Sequence, residues 1–110
     1  MFIGHVDQVE KVLMGGVEKQ ILIGPAEGWS DYVMRLFTLK EGESTPRHSH
    51  PWPHIIYVIE GEGSLFFAGE GNPVKGGSLL YVDPDSLHQL SNQGEGVFKF
   101  ICIVPKEGEG

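Results

Sequence analysis

Three of the chain's five histidines lie in the eight-residue stretch RHSHPWPH, from Arg47 to His54. Neutral imidazole is the commonest protein ligand for first-row transition metals. His48 and His50 are two residues apart, so their side chains point to the same side of an extended chain. His54 follows two prolines that break the strand and let a third imidazole approach the first two. The trio is therefore a candidate metal site, although an exposed histidine-rich turn would have the same composition.

The spacing around these histidines resembles the first sequence motif of the cupin family. That motif runs G, five residues, HxH, three or four residues, E, six residues, G. The matching positions in this chain are Gly42, His48, His50, His54 and Gly61. The departure is His54, which stands where the motif has glutamate, so the resemblance implies one more imidazole and one fewer carboxylate.

A second stretch resembles the other cupin motif, which runs G, five residues, PxG, two residues, H, three residues, N. The matching positions are Gly77, Pro84, His88 and Asn92, with Asp83 in place of the motif's first proline and Asp85 in place of its glycine. We expect these two changes to affect only turn geometry, because aspartate tolerates left-handed backbone conformations. Together the two motifs span residues 42–92, about half of the chain.

The resemblance implies a divalent metal held by four histidines: His48, His50, His54 and His88. The pattern is similar to that of small single-domain four-histidine cupins of thermophilic bacteria, a group associated with manganese. Iron, nickel, copper or zinc would also suit nitrogen donors. A six-coordinate metal would keep two open positions, whereas tetrahedral zinc with four protein ligands would be closed and structural.

The elements that must position these residues are short strands, because 16 glycines and seven prolines interrupt the chain at short intervals. An all-β fold follows, and the resemblance specifies a cupin jelly-roll barrel. The predicted strands are Gln20–Ile23, Tyr32–Leu39, His54–Glu60, Ser64–Ala68, Ser78–Val82 and Val97–Val104. Weaker extended segments are predicted at Arg47–His50 and Leu87–Leu90, and one short helix at Val6–Leu13.

Two of the predicted strands are apolar on both faces. In HIIYVIE, Ile56 and Val58 alternate with Ile55 and Tyr57, and VFKFICIV has the same pattern. A solitary barrel with one solvated face does not require apolar residues on its outer side. We therefore expect the outer face to pack against a second copy of the chain in a homodimer.

Composition limits the remaining classes of function. We expect one cupin domain over residues 1–110, with residues 106–110 as a flexible, solvated tail. The net charge of −7 and the scattered basic residues argue against nucleic acid and anionic membrane surfaces as partners. No apolar run approaches the roughly 20 residues of a membrane helix. The single cysteine and the absence of a recognisable secretory signal favour the cytoplasm.

Four residues are candidates for a pocket beside the metal: Arg35, Trp52, Phe100 and Cys102. Arginine is commonly found at the surface, but an inward Arg35 would anchor a substrate carboxylate. Trp52 would cover the cavity mouth or cap the core, whereas Phe100 and Cys102 would be core residues or pocket walls. His5 stands alone near a terminus, where we expect it to be solvated.

Three classes of function remain open for a site of this kind. The first is a metal-dependent, dioxygenase-like oxidoreductase acting on a small organic substrate. The second is a metal-dependent isomerase or decarboxylase, which would need a general base that the sequence does not show outside the ligands. The third is a non-catalytic module that binds a metal or a small molecule.

Overall fold

The protein is described by a computed structural model that covers residues 1–109. Nine strands make up its regular structure: β1 (Val12–Met14), β2 (Val17–Ile23), β3 (Tyr32–Leu39), β4 (His54–Glu60), β5 (Glu62–Phe67), β6 (Glu70–Lys75), β7 (Leu79–Val82), β8 (His88–Asn92) and β9 (Phe98–Pro105). Short 3-10 turns lie at Val6–Gln8, Pro25–Glu27 and Lys106–Gly108. Within the described residues, no helix is long and apolar enough to cross a membrane.

The strands form two antiparallel sheets that enclose one apolar core. The larger sheet has the order β1-β2-β3-β9-β4-β7 and the smaller one the order β6-β5-β8. The core cluster draws on both sheets, with Phe37, Val58 and Phe100 from the larger and Leu65 and Leu90 from the smaller. The prediction of an all-β fold is therefore confirmed.

Strands β4 and β9 alternate between buried and more exposed residues, and β3 does so except at Leu36, which is also buried. On β9 the inward side chains are Phe98, Phe100, Cys102 and Val104, each at most 2% exposed. Register aligns this face with its neighbours, since Cys102 lies opposite Arg35 of β3 and Ile56 of β4. The three strands thus present one continuous inner surface towards the smaller sheet.

The predicted helix at Val6–Leu13 is wrong. Only Val6–Gln8 forms a 3-10 turn, and Val12–Met14 is a strand paired with β2. The cause is the Gly15-Gly16 pair, whose φ angles are 59° and 90°. The two glycines form a two-residue hairpin turn, so the residues before them pair with β2 as a strand. The pair therefore ends a strand, where the sequence reading placed the end of a helix.

Strand β6 was absent from the sequence prediction because its residues, EGNPVK, have little strand propensity. It pairs with β5 along its whole length, and Ser64 lies opposite Pro73. Proline cannot donate a backbone hydrogen bond, and it is tolerated here because β6 is the edge strand of the smaller sheet.

The C-terminal residues differ from the predicted solvated tail. Lys106 and Glu107 are exposed, but Gly108 and Glu109 are half-buried. Glu109 is drawn inward by charge, because its carboxylate forms ion pairs with Lys19 and Arg35. Gly110, the last residue of that predicted tail, lies outside the described residues.

Candidate metal centre

Three histidines converge at one end of the barrel. His48 and His50 lie on the chain between β3 and β4, and His88 is the first residue of β8. Two backbone hydrogen bonds join His48 to His88, with N···O distances of 3.2 and 3.0 Å. One ring nitrogen from each histidine can be chosen so that all three lie within 4.8 Å of one another. The structure thus brings three of the four predicted ligands together.

The fourth predicted ligand, His54, lies beside this cluster rather than within it. It opens strand β4, and its ring centroid is 4.8 Å from that of His88 and 5.2 Å from that of His50. Its Nδ1 lies 3.2 Å from the Cys102 sulfur. The other nitrogen, Nε2, is buried and has no hydrogen-bond partner among residues 1–109. An unpaired buried nitrogen next to three imidazoles is what a missing metal partner would leave, so the residues fit a divalent transition metal.

Three of the four histidines are held in the neutral form that a metal requires. Burial lowers the pKa of His48 to about 4 and that of His54 to about 3, with smaller contributions from neighbouring histidines and Arg35. The pKa of His50 is also lowered, again mainly by burial. Near neutral pH each of these three imidazoles therefore retains a free lone pair.

Contacts behind the histidines set the direction in which each ring points. His88 Nδ1 lies 2.9 Å from the Ser86 carbonyl oxygen, so an N–H at Nδ1 donates to that oxygen and leaves Nε2 free. The turn before His88 includes Asp85, whose φ of 66° is the left-handed conformation expected of a residue that replaces a motif glycine. Trp52 stacks on His50, with ring centroids 4.8 Å apart and planes 6° apart. These contacts restrict both rings before any metal binds.

A cavity of about 80 Å³ opens beside the histidines. Its apolar wall consists of Met14, Phe37, Ile56, Leu90 and Phe100, and its polar lining of Arg35, Thr45, Cys102 and the four histidines, with Gly108 at one side. Phe100 is 1% exposed and stacks on Phe37, so it serves both as core and as cavity wall. The cavity is small compared with the roughly 300–1,000 Å³ of typical ligand sites.

Arg35 points inward and is 5% exposed, which resolves the question that the sequence left open. Its Nη1 lies 3.3 Å from Glu109 Oε1, and its Nη2 lies 3.2 Å from the Cys102 sulfur. The guanidinium carbon sits 5.0 Å from the centre of the Phe37 ring. Arg35 Nε is buried without a partner. Arg35 thus places a positive charge at the cavity, beside the histidines.

Cys102 is a buried thiol that contacts both Arg35 and His54. Burial raises its pKa, and the nearby Arg35 opposes that shift. The sulfur therefore remains protonated near neutral pH and acts as a neutral hydrogen-bonding group next to His54.

Two other predicted residues take clear positions. Trp52 packs against the core and backs His50, and it is absent from the cavity lining. His5 is exposed, accepts a hydrogen bond from the backbone of Asp7 and lies outside the histidine cluster, as expected of a solvated residue.

Sequence reasoning missed three polar residues near the cavity: Lys19, Thr45 and Glu109. Thr45 is buried and bonded to Leu90, which ties the histidine-bearing loop to β8. Glu109 and Lys19 reach the site through ion pairs between residues far apart in the chain. No local pattern in the sequence distinguishes Glu109 from the other acidic residues.

Comparison with known proteins identifies the fold and its relatives. The Cupin_2 family, described as a cupin domain, matches residues 35–104. The polyketide synthase CurC of Streptomyces cyaneus is 28% identical over 101 residues, which is 87% of this chain and 66% of that protein. This chain spans between 44% and 66% of the length of its curated relatives.

Solved structures agree with this assignment. The polyketide cyclase RemF from Streptomyces resistomycificus superposes with a TM-score of 0.86 at 26% identity, covering 96% of this chain and 79% of that one. A predicted oxalate decarboxylase from Thermotoga maritima gives a TM-score of 0.83 at 23% identity, covering 94% and 98%. The second likeness concerns the fold alone.

Proposed function

The chain belongs to the cupin family, and we propose that it is a metal-dependent, dioxygenase-like oxidoreductase acting on a small organic molecule. The proposed ligands are His48, His50, His54 and His88. The observation that carries the proposal is the buried, unpaired Nε2 of His54 beside the other three imidazoles. A fully satisfied histidine cluster would have no need of a metal, and this one is not satisfied.

Each part of the site contributes to such a function. The neutral imidazoles bind the metal, and the Ser86 carbonyl and the Cys102 sulfur orient His88 and His54. The wall formed with Phe37 and Phe100 is apolar, and a low-polarity surrounding strengthens charge interactions beside it. A divalent metal held there would supply a redox-active centre with positions open to a small molecule. The small cavity limits the substrate to a molecule of few atoms near the histidines.

Manganese is the metal we propose. Four nitrogen donors are also compatible with iron, nickel, copper or zinc, so the donor set alone does not choose among them. The choice of manganese rests on the likeness of the motif to four-histidine cupins. Because no carboxylate is among the proposed ligands, the site would keep the full charge of a divalent ion, which favours the lower oxidation state.

Oxygen consumption tests the proposed reaction. Manganese-loaded protein is mixed with a panel of small diketones, phenols, enols and thiols while dissolved oxygen is recorded. We expect uptake that depends on at least one member of the panel, is lost in H88A and is retained in the exposed-site control H5A. Metal-loaded protein that binds panel members without consuming oxygen would contradict the oxidoreductase assignment.

A second candidate is favoured by the relatives. RemF is a polyketide cyclase and CurC a polyketide synthase, names that suggest carbonyl chemistry in which a metal polarises an oxygen. An isomerase or decarboxylase would work in the same way. Such a reaction needs a proton-transferring group, and among the described residues the cavity lining includes no carboxylate. Product formation from the same panel without oxygen would identify this alternative.

We also propose that the chain forms a homodimer through the outer face of β4 and β7. Ile55 lies opposite Tyr81 and Tyr57 opposite Leu79, and these four side chains are 48–80% exposed. Strand β7 is the edge of the larger sheet, so no further strand of that sheet lies beside this row of exposed apolar side chains. Sedimentation analysis should give a dimer for the wild type and a monomer for L79K, and a monomeric wild type would refute the proposal.

The compartment we propose is the cytoplasm. Cys102 is the chain's single cysteine and is a buried free thiol. Reducing compartments preserve thiols of this kind. Fractionation of cells expressing the native chain, with immunodetection, should find it with cytoplasmic markers, and recovery in another fraction would overturn the assignment.

A further inference from the structure

Arg35 is an arginine built into the cavity with its hydrogen-bonding capacity only partly used. It is 95% buried, since its exposed fraction is 5%. Its Nη2 donates to the Cys102 sulfur, and its Nε has no partner among the described residues. The carboxylate of Glu109 touches it through Nη1 alone. A guanidinium can hold a carboxylate by two parallel hydrogen bonds, so this arrangement leaves binding capacity unused.

The charges around Arg35 favour an anion. Glu109 is shared between two cations, Arg35 and Lys19, so the three side chains together carry a net charge of about +1. Among the described residues, the rest of the cavity lining consists of imidazole, hydroxyl, thiol and apolar groups and includes no carboxylate. A divalent metal at the histidines would add to the positive charge. A buried excess of positive charge is stabilised most simply by a negatively charged ligand.

Glu109 is placed so that it can give way to such a ligand. Its Oε2 lies 2.5 Å from Lys19 Nζ, whereas its Oε1 lies 3.3 Å from Arg35 Nη1. The contact with Lys19 is therefore the closer one, and it survives if the contact with Arg35 is lost. Glu109 follows the Lys106–Gly108 turn, and Gly108 borders the cavity. A small movement of this turn would withdraw the Glu109 carboxylate from Arg35, which already lines the cavity.

We propose that the site binds small carboxylates through Arg35 and that Glu109 is an internal competitor for this anchor. When no ligand is bound, the Glu109 carboxylate covers Arg35. When a ligand enters, its carboxylate takes over Arg35, its remainder faces the histidines, and Glu109 keeps Lys19 as its partner. The inference rests on the proposed function, because it names the class of molecule that the same site would accept.

Carboxylate binding to metal-free protein tests this directly. The probe is propionate, and the matched uncharged control ligand is propionamide. Trp52 reports the event because its indole lies against Gly108. All variants carry W29F, which removes the only other tryptophan. Titration of Trp52 fluorescence then gives the dissociation constant of each ligand.

Three substitutions should change the affinity for propionate in different directions. We expect E109Q to bind propionate about tenfold more tightly, because the competitor loses its charge. We expect K19M to bind it several-fold more weakly, because Glu109 then depends on Arg35 alone. We expect R35Q to bind it at least tenfold more weakly, and E109Q to give no gain when combined with R35Q. Propionamide should bind weakly to all of them and show no such pattern.

Equal propionate affinity in E109Q and the parent would refute Glu109 as a competitor. Equal affinity in R35Q, or equal binding of propionamide, would refute Arg35 as the anchor. Since Arg35 is buried, circular dichroism and thermal unfolding check that R35Q is folded, and R35K replaces it if it is not, with weakened binding again expected. The metal content of the same variants is measured separately. If the protein does not bind metal but the variants still show the expected order of propionate affinities, the proposed function is refuted and this inference stands.

Discussion

The two ends of the barrel interior are built from the same three strands and yet differ in chemistry. At one end the inward side chains of β3, β4 and β9 are apolar and completely buried: Leu39, Val58 and Phe98. Four residues along each strand, the inward side chains are polar: Arg35, His54 and Cys102. The first set belongs to the close-packed core, and the second borders a cavity with unpaired nitrogen atoms.

This difference indicates that the residues that stabilise the fold and the residues that could bind a ligand lie at separate ends of the barrel. The side chains at the apolar end are stabilised by close packing with one another, so each atom removed there leaves a void. At the histidine end, burial is comparable but the polar atoms of His54 and Arg35 are left without partners. Unpaired buried nitrogen costs free energy, which a bound metal or anion would recover. Substitutions at the two ends should therefore affect different measurements.

The largest expected effect is at the apolar end. Phe98 is 0% exposed, and F98A should lower the free energy of unfolding by about 3–5 kcal/mol through loss of apolar contact and creation of a void. Urea unfolding of metal-free protein measures this. The manganese affinity of the folded fraction should stay within about twofold of the wild-type value. A large loss of metal affinity in F98A would show that the two ends are not separable.

The next effect is at the histidine cluster. H88A removes one of the three converging imidazoles and should weaken manganese binding by more than about 100-fold. Loss of a residue that only hydrogen-bonds to a metal ligand usually costs about 10- to 100-fold, and loss of a ligand itself should cost more. Electron paramagnetic resonance of unbound manganese gives the affinity. H5A is the matched control, because His5 is exposed and outside the cluster. Unchanged affinity in H88A would remove the cluster from metal binding.

The position of His54 is tested by H54A, which should weaken manganese binding by about 100-fold if its Nε2 is a ligand. The control is I56A, two residues along the same inner face and also buried. I56A leaves a void without removing a donor, so it should lower stability and leave metal affinity nearly unchanged. Should both variants lose affinity equally, His54 would be a packing residue and not a ligand.

The smallest effect concerns Cys102, whose sulfur contacts His54 Nδ1. C102A should weaken manganese binding by about tenfold, because His54 loses the contact that orients its ring. C102S should restore most of the affinity, since a hydroxyl can make the same hydrogen bond. Rescue by serine distinguishes orientation of His54 from general packing, and failure of C102S to restore affinity would argue for packing alone.

Local spacing was sufficient to predict the parts of the site that lie near each other in sequence or match a motif. His88 was added only by the resemblance to the second cupin motif. The alternation along β4 and β9 predicted which residues share a face, and the two-residue spacing of His48 and His50 placed their side chains on the same side. These features depend on the two-residue period of a strand, which the sequence displays directly.

The features that could not be predicted depend on contacts between residues distant in sequence, which local patterns do not encode. Arg35 has apolar neighbours on both faces of β3, so only the assembled sheet shows that it points inward. Its partner Glu109 lies 74 residues away. The hairpin at Gly15-Gly16 was misjudged because the same glycine pair can end either a helix or a strand, and pairing with β2 decides between them.

X-ray absorption of the manganese-loaded protein tests the central claim most directly, because it identifies the atoms bound to the metal. The account predicts scattering from about four imidazole rings, with no sulfur ligand, and additional light atoms at open positions. H54A should reduce the imidazole contribution by about one ring, whereas I56A should leave it unchanged. A spectrum with sulfur bound, or one that H54A does not alter, would contradict the four-histidine site.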